Sequence, residues 1–486
     1  VSKRFKVIYI ILMLLVCALP MVLMPFIKSD VKIEKRELNK FPKYVDKGKL
    51  NEDFSSGFEG WLNDRIPLRA YMLSASNYLR TELFKQPSSN VICGKDGWLY
   101  YESESKDYMD SNALSDADIK AAAVSLSLIE EHVRANGGQF TFVIVPNKSS
   151  VYPEYMPECY EKADANNLTR LNDALDEADV THVDLKTLLT DKKDEGLYHR
   201  RDSHWNYKGA LIGYNAILDS LNREHKTYDD IELKKTKTWR GDLDKLLYPA
   251  GGFMDYQYEY DIDYNSIMFT GPGQGGPKER LLNYMSDKEQ GDDMIIAKSK
   301  VVKDGSSLYM VRDSFGRALL PLMINAYKDS TFKRTRSPDI TAIPERSDFC
   351  YELVERNIDQ LVESAPFMYA PKREKIDVGS YDKCDGAETF SKAESYGLRL
   401  YGKLPNQGDA SLEERRVYIV LANDRESFTY EAFPIYDQAL MKSADQGDRP
   451  CGYSAVISPD EELKGEYSVS IITGGKCYQA DKVTIS

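Results

Sequence analysis

Apolar and polar residues recur along this chain with two periods, and the switches between them predict its elements. Ser115–Asn136 has apolar residues at helical spacing, with Ser115 placed as N-cap and Gly137-Gly138 as the stop. Phe140–Val145 is an unbroken apolar run of strand length that leads into Pro146-Asn147-Lys148. A helix over Leu168–Ala178, a strand over Val180–Leu185 and the start of a helix over Leu185–Leu189 follow. In Tyr207–Leu221, Ala210, Leu211, Tyr214, Ile217, Leu218 and Leu221 share one helical face. Ser307–Val311 reads as a strand entering a helix over Phe315–Tyr327, and Phe349–Val354 as a strand before a helix over Arg356–Glu363. This alternation predicts an α/β fold: a three-layer parallel sheet with helices on both faces.

The flanks read differently. Phe54–Phe84 is helical with a break at Asp64–Arg69, and Val91–Tyr101 is a hairpin turning at Lys95-Asp96-Gly97. Between 226 and 300 the periodicity weakens into a Tyr-, Gly- and Asp-rich insertion with short strand candidates. After Asp377, short strands at Tyr396–Lys403, Arg416–Ala422, Ser427–Pro434, Tyr453–Ser458 and Tyr467–Thr473 predict a β-sandwich of about 100 residues. At the other end, Lys3, Arg4 and Lys6 precede Val7–Ile27, an uncharged run of 21 residues. At a rise of about 1.5 Å per residue that run predicts a transmembrane helix, with its N-terminus cytoplasmic and the rest of the chain outside. A cleaved signal peptide is the alternative, although no small-x-small site follows. The expected division is an anchor over 1–28, a juxtamembrane spacer and helix over 29–90, the α/β domain over 91–376 with 226–300 inserted, and the β-sandwich over 377–486.

Charge and composition narrow the chemistry. The 486 residues carry 64 Lys and Arg against 77 Asp and Glu, a net charge of −13, and the charges are interspersed. No basic stripe is available to displace counterions from a phosphate backbone, which argues against nucleic acid. Of the 7 cysteines, Cys17 lies in the apolar run and no two form a C-x-x-C pair; Cys451 and Cys477 are left either to pair or to remain thiols. The 5 histidines form no H-x-x-x-H pattern, so no metal or cofactor is expected; a metal pair of His199 and His204 is the weaker reading.

Two segments carry candidate chemistry. In Ser307-Leu-Tyr-Met-Val-Arg-Asp-Ser-Phe-Gly316 a strand ends, Ser314 sits on the turn and a helix begins. That arrangement exposes a hydroxyl at the carboxyl edge of the sheet, and it aims free first-turn N–H groups at any oxyanion formed there. For the segment alone, helix capping by Asp313 and Ser314 is the stronger reading. In His199-Arg-Arg-Asp-Ser-His-Trp-Asn206, Asp202 and His204 stand two apart, so the carboxylate can orient an imidazole whose other nitrogen faces a nucleophile. Together they supply a nucleophile, a base and its orienter.

Val143-Ile-Val-Pro-Asn-Lys148, Val183-Asp-Leu185 and Asp202-Ser-His-Trp-Asn206 resemble the second half of an SGNH (GDSL-type) hydrolase. Here the serine block follows the histidine. That circularly permuted order resembles the alginate O-acetyltransferase branch and the Gram-positive group named for a D-H-H-W motif. Asp64–Arg69, Gly94–Tyr100 and Val151–Pro157 also match, so the resemblance spans roughly residues 50–370. It implies Ser314 as nucleophile, His204 as base and Asp202 as orienter, with Asn357, Arg356, Phe315 and Gly316 as oxyanion or substrate contacts. Ser203 stands where the group often has histidine, and Arg312 replaces the glycine of G-D-S.

The implied function is an extracytoplasmic O-acetyltransferase acting on a cell-surface or exported polysaccharide through an acyl-serine. A membrane-bound O-acyltransferase is the implied acyl relay. The alternatives are a polysaccharide O-acetylesterase using the same triad, or a non-catalytic glycan-binding scaffold.

Overall fold

Seven strands build the central sheet: β1 (Phe140–Val145), β2 (His182–Val183), β3 (Ile267–Phe269), β4 (Met294–Ser299), β5 (Ser307–Val311), β6 (Asp329–Lys333) and β7 (Asp348–Val354), in the order β2-β1-β7-β5-β6-β4-β3. This computed structural model describes all residues except 1–2, 28–37, 47–48, 85–87, 89, 229–230, 232, 272–274, 286–291, 406–407, 409, 436–451 and 486.

Alternation along the strands divides the core between the two faces. Val143, Val145, Leu308, Met310 and Val354 enter one apolar cluster with Ala210, Tyr214, Ile217 and Leu218 of α4 (Tyr207–Ser220). Phe142, Ile144, Tyr309, Phe349 and Tyr351 enter the other with Ile129 and Val133 of α1 (Asp116–Ala135) and Leu171 and Leu175 of α2 (Asn167–Glu177). Ser115 caps α1 by accepting from the Asp118 amide, and Gly137 leaves it at φ +80°. α3 (Leu185–Asp191) starts at Asp184, whose side chain accepts from the Thr187 amide.

The sheet is mixed rather than wholly parallel. β2, β1, β7, β5 and β6 run parallel, whereas β4 pairs antiparallel with both β6 and β3. β3 and β4 come from the 226–300 insertion, and antiparallel pairing needs no crossover helix. The strand expected over Val180–Leu185 shrinks to two residues because Asp184 begins α3. The helix expected from Phe315 opens as a 3₁₀ turn over Phe315–Leu319 before α5 (Leu320–Ala326), where Pro321 sits in the first turn.

The N-terminal expectation is corrected. Among the described residues no helix is long and apolar enough to cross a membrane. The helix found there runs Lys3–Leu23, so it takes in three cations and Pro20 and stops before Ile27. Its uncharged part, Val7–Leu23, rises about 26 Å at 1.5 Å per residue, short of a hydrocarbon core of roughly 30 Å. Much of the expected spacer (28–37 and 47–48) lies outside the described residues.

Beyond the central sheet, a six-stranded and a three-stranded sheet share an apolar cluster. Ile419, Tyr430, Val469 and Ile471 of the first meet Leu400, Ala455 and Ile457 of the second. Cys451 lies outside the described residues, and with it any pairing to Cys477.

Candidate active site

β5 and β7 end side by side in parallel register, with Val311 opposite Tyr351, so the turns that follow them emerge at one sheet edge. Asp313 fastens the turn after β5. One carboxylate oxygen accepts the Phe315 amide at 2.8 Å, the other accepts the Val354 amide at 2.9 Å, and the Asp313 amide donates to Glu352 Oε2 at 2.9 Å. Ser314 is thereby held at the start of the 3₁₀ turn. Arg312, where a glycine is usual in the related motif, is buried beneath it; its guanidinium donates to the Asp313 carbonyl oxygen at 2.9 Å and to the carboxylate of Asp292. Arg317 donates to that carboxylate too, at 2.8 and 3.1 Å.

The second segment meets the first across 110 residues of sequence. Ser314 Oγ lies 2.9 Å from His204 Nε2, and His204 Nδ1 lies 2.7 Å from Asp202 Oδ1. The loop is closed on itself by the His204 amide, which donates to the same Asp202 oxygen at 3.0 Å. Trp205 ties the two segments together, its Nε1 donating to the Phe315 carbonyl oxygen at 3.1 Å. Asn206 caps α4 by accepting from the Lys208 and Gly209 amides. Burial disfavours charge on Asp202, but the hydrogen bond and charge of His204 outweigh it and hold the carboxyl well below its ordinary range. Burial likewise favours a neutral His204, and Asp202 overrides it, raising the imidazole above its usual value.

The weakly patterned insertion supplies groups that sequence reading missed. Trp239 Nε1 and the Asp242 amide donate to Asp202 Oδ2 at 3.0 and 2.9 Å. The Asp242 carboxylate accepts the Ser203 amide at 2.7 Å and its hydroxyl at 2.5 Å. Gly241 permits this approach, since a Cβ there would lie 2.0 Å from the Arg201 carbonyl oxygen. Asp292, near the far end of the insertion, holds the serine turn through Arg312 and Arg317. The two ends of the insertion thus secure the two halves of the constellation. Trp239 follows a Lys-Lys-Thr-Lys-Thr run that signals only an exposed strand, so nothing local marked these roles.

Lys148, just after β1, is a further unforeseen group. Its buried ammonium donates to the carbonyl oxygens of His199, Arg200 and Asp202 at 3.1, 3.2 and 2.5 Å. Burial pulls its pKa down to about 8, against the opposing pull of Glu104 and Asp202. A buried polar network lies alongside. In it Glu355 accepts from the Asn147 amide, Ser150 and Asn166, and Asp107, pushed up to about 7 by burial and by Glu355, accepts from Asn147 Nδ2.

The other anticipated residues divide. Arg356 reaches the site: its guanidinium carbon lies 5.3 Å from the Phe315 ring centroid, and Nη1 is 3.5 Å from Asn147 Oδ1. Among the described residues Asn357 neither lines the pocket nor bonds to the triad. The Phe315 amide is taken by Asp313, so it is not a free oxyanion donor. Gly316 packs under the turn, where a Cβ would lie 2.8 Å from the Arg312 side chain. His199 stacks on Trp239 at 4.9 Å, and its Nδ1 meets the Tyr256 carbonyl oxygen at 3.0 Å. Asp202, His204 and Asp242 lie close enough to suggest a cation site. Their carboxylate oxygens, however, already face N–H and O–H donors, an arrangement that suits anions holding a loop rather than metal ligands. Ser314, His204 and Asp202 line a pocket of about 720 Å³, open mouth included, together with Trp239, Gln257, Lys245 and Arg317.

A serine on a strand-to-helix turn, facing an imidazole that a carboxylate two residues away holds in place, is the arrangement of a serine nucleophile, its base and the base's orienter, which serine acyl-transfer proteins share on unrelated folds. Residues 91–262 match the family described as the SGNH hydrolase-like domain of the acetyltransferase AlgX. Two proteins named probable alginate O-acetylase AlgJ are similar. That of Pseudomonas putida is 23% identical over 205 residues, 41% of this chain and 52% of the relative. That of Pseudomonas fluorescens is 26% identical over 212 residues, 42% and 52% respectively. The chain therefore matches about half the length of these curated relatives. Among solved structures, Bacillus cereus PatB1 covers 56% of this chain and 97% of its own at 16% identity and a TM-score of 0.44. A DHHW family protein from Eubacterium siraeum covers 57% and 100% at 16% identity and a TM-score of 0.42.

Proposed function

We propose that this protein is an O-acetyltransferase that modifies a polysaccharide outside the cytoplasm through an acyl-serine at Ser314. The observation that carries the reading is the continuous hydrogen-bond chain Ser314–His204–Asp202, at 2.9 and 2.7 Å, opening into a pocket. His204 Nε2 takes the Ser314 proton as Oγ attacks the carbonyl of an acyl donor, then returns it to the leaving group. In the second half-reaction His204 deprotonates a sugar hydroxyl, which attacks the acyl-serine and releases Ser314. Asp202 keeps the imidazole in the tautomer that presents a basic Nε2 to the serine. The Ser314 amide, which has no acceptor among the described residues, and the first-turn amide of Gly316 are the oxyanion donors, with Arg356 beside them. A membrane-bound O-acyltransferase delivers the acyl group in this scheme, and the SGNH-like match to alginate O-acetylases supports a glycan acceptor.

Purified protein incubated with p-nitrophenyl acetate and a polysaccharide acceptor tests the proposal. Mass spectrometry should find acetyl on Ser314, and the acceptor should gain O-acetyl groups. Equal turnover by Ser314→Ala would remove the serine mechanism, and hydrolysis without acceptor acetylation would remove the transferase reading.

A further inference from the structure

We propose that Asp242 is a second acidic partner of His204, supplied by the insertion, so that two carboxylates rather than one bias a single imidazole. Its description as a partner of the base rests on the acyl-transfer reading above, but its geometry does not. His204 Nδ1 faces Asp202 Oδ1 at 2.7 Å, and the same nitrogen has Ser203 Oγ at 3.2 Å and Asp242 Oδ2 at 3.5 Å. Ser203 Oγ donates to Asp242 Oδ2 at 2.5 Å, so the hydroxyl, the ring nitrogen and the second carboxylate close a triangle in which the carboxylate approaches the ring directly. Asp242 is locked in place: it accepts the Ser203 and Leu243 amides at 2.7 Å each while its own amide donates to Asp202. Gly241 is what lets this turn press against the Arg201 carbonyl oxygen.

The arrangement accounts for serine at position 203. A small hydroxyl fits beside the imidazole and fixes Asp242 by a hydrogen bond without displacing the carboxylate from its 3.5 Å approach to the ring. When His204 takes the serine proton, the resulting imidazolium has Asp202 in direct contact and Asp242 within 3.5 Å, so two carboxylates ease the charge separation. The charged groups facing this ring are Asp202, Asp242 and Arg356; the two aspartates raise its basicity and Arg356 opposes them. Asp242 acts through the ring and touches no reacting atom, so it is a positioning residue.

The test compares wild type with Asp242→Asn in the full chain, following the His204 ring by NMR on histidine-labelled protein and kcat/KM against pH on p-nitrophenyl acetate. The expected result is a His204 pKa lower by at least about half a unit, as loss of a nearby opposite charge demands. The acidic limb of kcat/KM should move down with it, while the plateau kcat falls by about tenfold, short of the 10²–10⁴-fold carried by general acid–base catalysis itself. A purely structural loss lowers activity without moving that limb downward. Asp242→Ser, which keeps a small polar group without charge, should reproduce the shift. An unchanged His204 titration in both folded variants overturns the inference even if the protein is inactive. Turnover independent of Ser314 sinks the acyl-transfer reading and leaves the NMR result to decide on Asp242.

Discussion

The ammonium of Lys148 lies 2.5 Å from the main-chain oxygen of Asp202, so a residue at the end of the first strand holds the loop that carries the imidazole. Two more carbonyls of that loop share the same cation. Lys148→Met keeps most of the side-chain volume and removes every donor. Hydrogen bonds to a charged group contribute about 1.5–3 kcal/mol each, and orphaned buried carbonyls add their own cost. We expect a loss of about 3 kcal/mol, read from the urea midpoint, and an activity loss exceeding tenfold. A variant with unaltered midpoint and activity would show that the loop holds itself.

The Asp202–His204 pair fixes a pH window. His204 is raised, so its share of stability is complete below the unfolded histidine value and is lost as pH rises through the folded one. Asp202 is lowered, so its share is present above the unfolded aspartate value and is lost as pH falls through the folded one. The pair therefore stabilises most between about pH 4 and 6.5, bounded by the unfolded values. The difference in Tm between wild type and His204→Gln should peak in that window and narrow above it. Catalysis runs the other way, because a general base must be neutral: kcat/KM should rise along a limb centred above about 6.5.

Sequence periodicity located what packs. Phe140–Val145 and Ser307–Val311 form strands at those boundaries; the helix over 116–135 is a residue shorter than expected at each end, and that over 207–220 a residue shorter at its C-terminal end. Hydrophobic alternation is a local record of burial, and these elements are buried on a face. β3 and β4 fall among the insertion's short strand candidates, which the pattern could not place, and β6 was missed, because each is short or half-exposed, with polar residues among the apolar ones, and their pairing is set by partners distant in sequence. The same contrast holds in the site. Ser314, His204 and Asp202 carry chemistry in their residue types and stand at element ends. Trp239, Asp242, Asp292 and Lys148 act through hydrogen bonds to segments distant in sequence, which leave no trace in local pattern. The N-terminal run misled because apolar length was counted without the helix boundaries, which draw in Lys3, Arg4 and Lys6 and end at Leu23.

Gly241 tests how tightly the insertion is seated. A Cβ there would stand 2.0 Å from the Arg201 carbonyl oxygen and 2.8 Å from the Asp202 amide nitrogen, and both are backbone atoms. Gly241→Ala should push the Asp242 turn away from Asp202, at about 1–3 kcal/mol of stability as overpacking generally costs. Differential scanning calorimetry gives the first quantity, and the rate of acylation by p-nitrophenyl acetate the second. Acylation should slow, since Asp202 loses the Asp242 amide. An unshifted Tm with normal acylation would mean that the turn relaxes freely.

Asp313 offers the sharpest substitution, because Asn is nearly its isostere. Each carboxylate oxygen of Asp313 accepts one backbone N–H, from Phe315 on its own turn and from Val354 at the end of β7. A carboxylate can do both; an amide can do only one, since its nitrogen would face an N–H with a donor of its own. Asp313→Asn therefore leaves one buried amide unpaired and sets two donors against each other, which costs about 1–3 kcal/mol. The strain falls between β5 and β7, where Ser314 takes its position relative to His204. Stability should fall by that amount in urea unfolding. The acylation rate of Ser314 should fall further, by about a hundredfold, since a displacement near 1 Å costs that much in orientation. Binding of a polysaccharide acceptor, read separately by calorimetry, should be little changed. If acylation tracks stability alone, the clamp serves the fold and not the serine; a rate that drops while most of the protein remains folded places its role in aiming the hydroxyl.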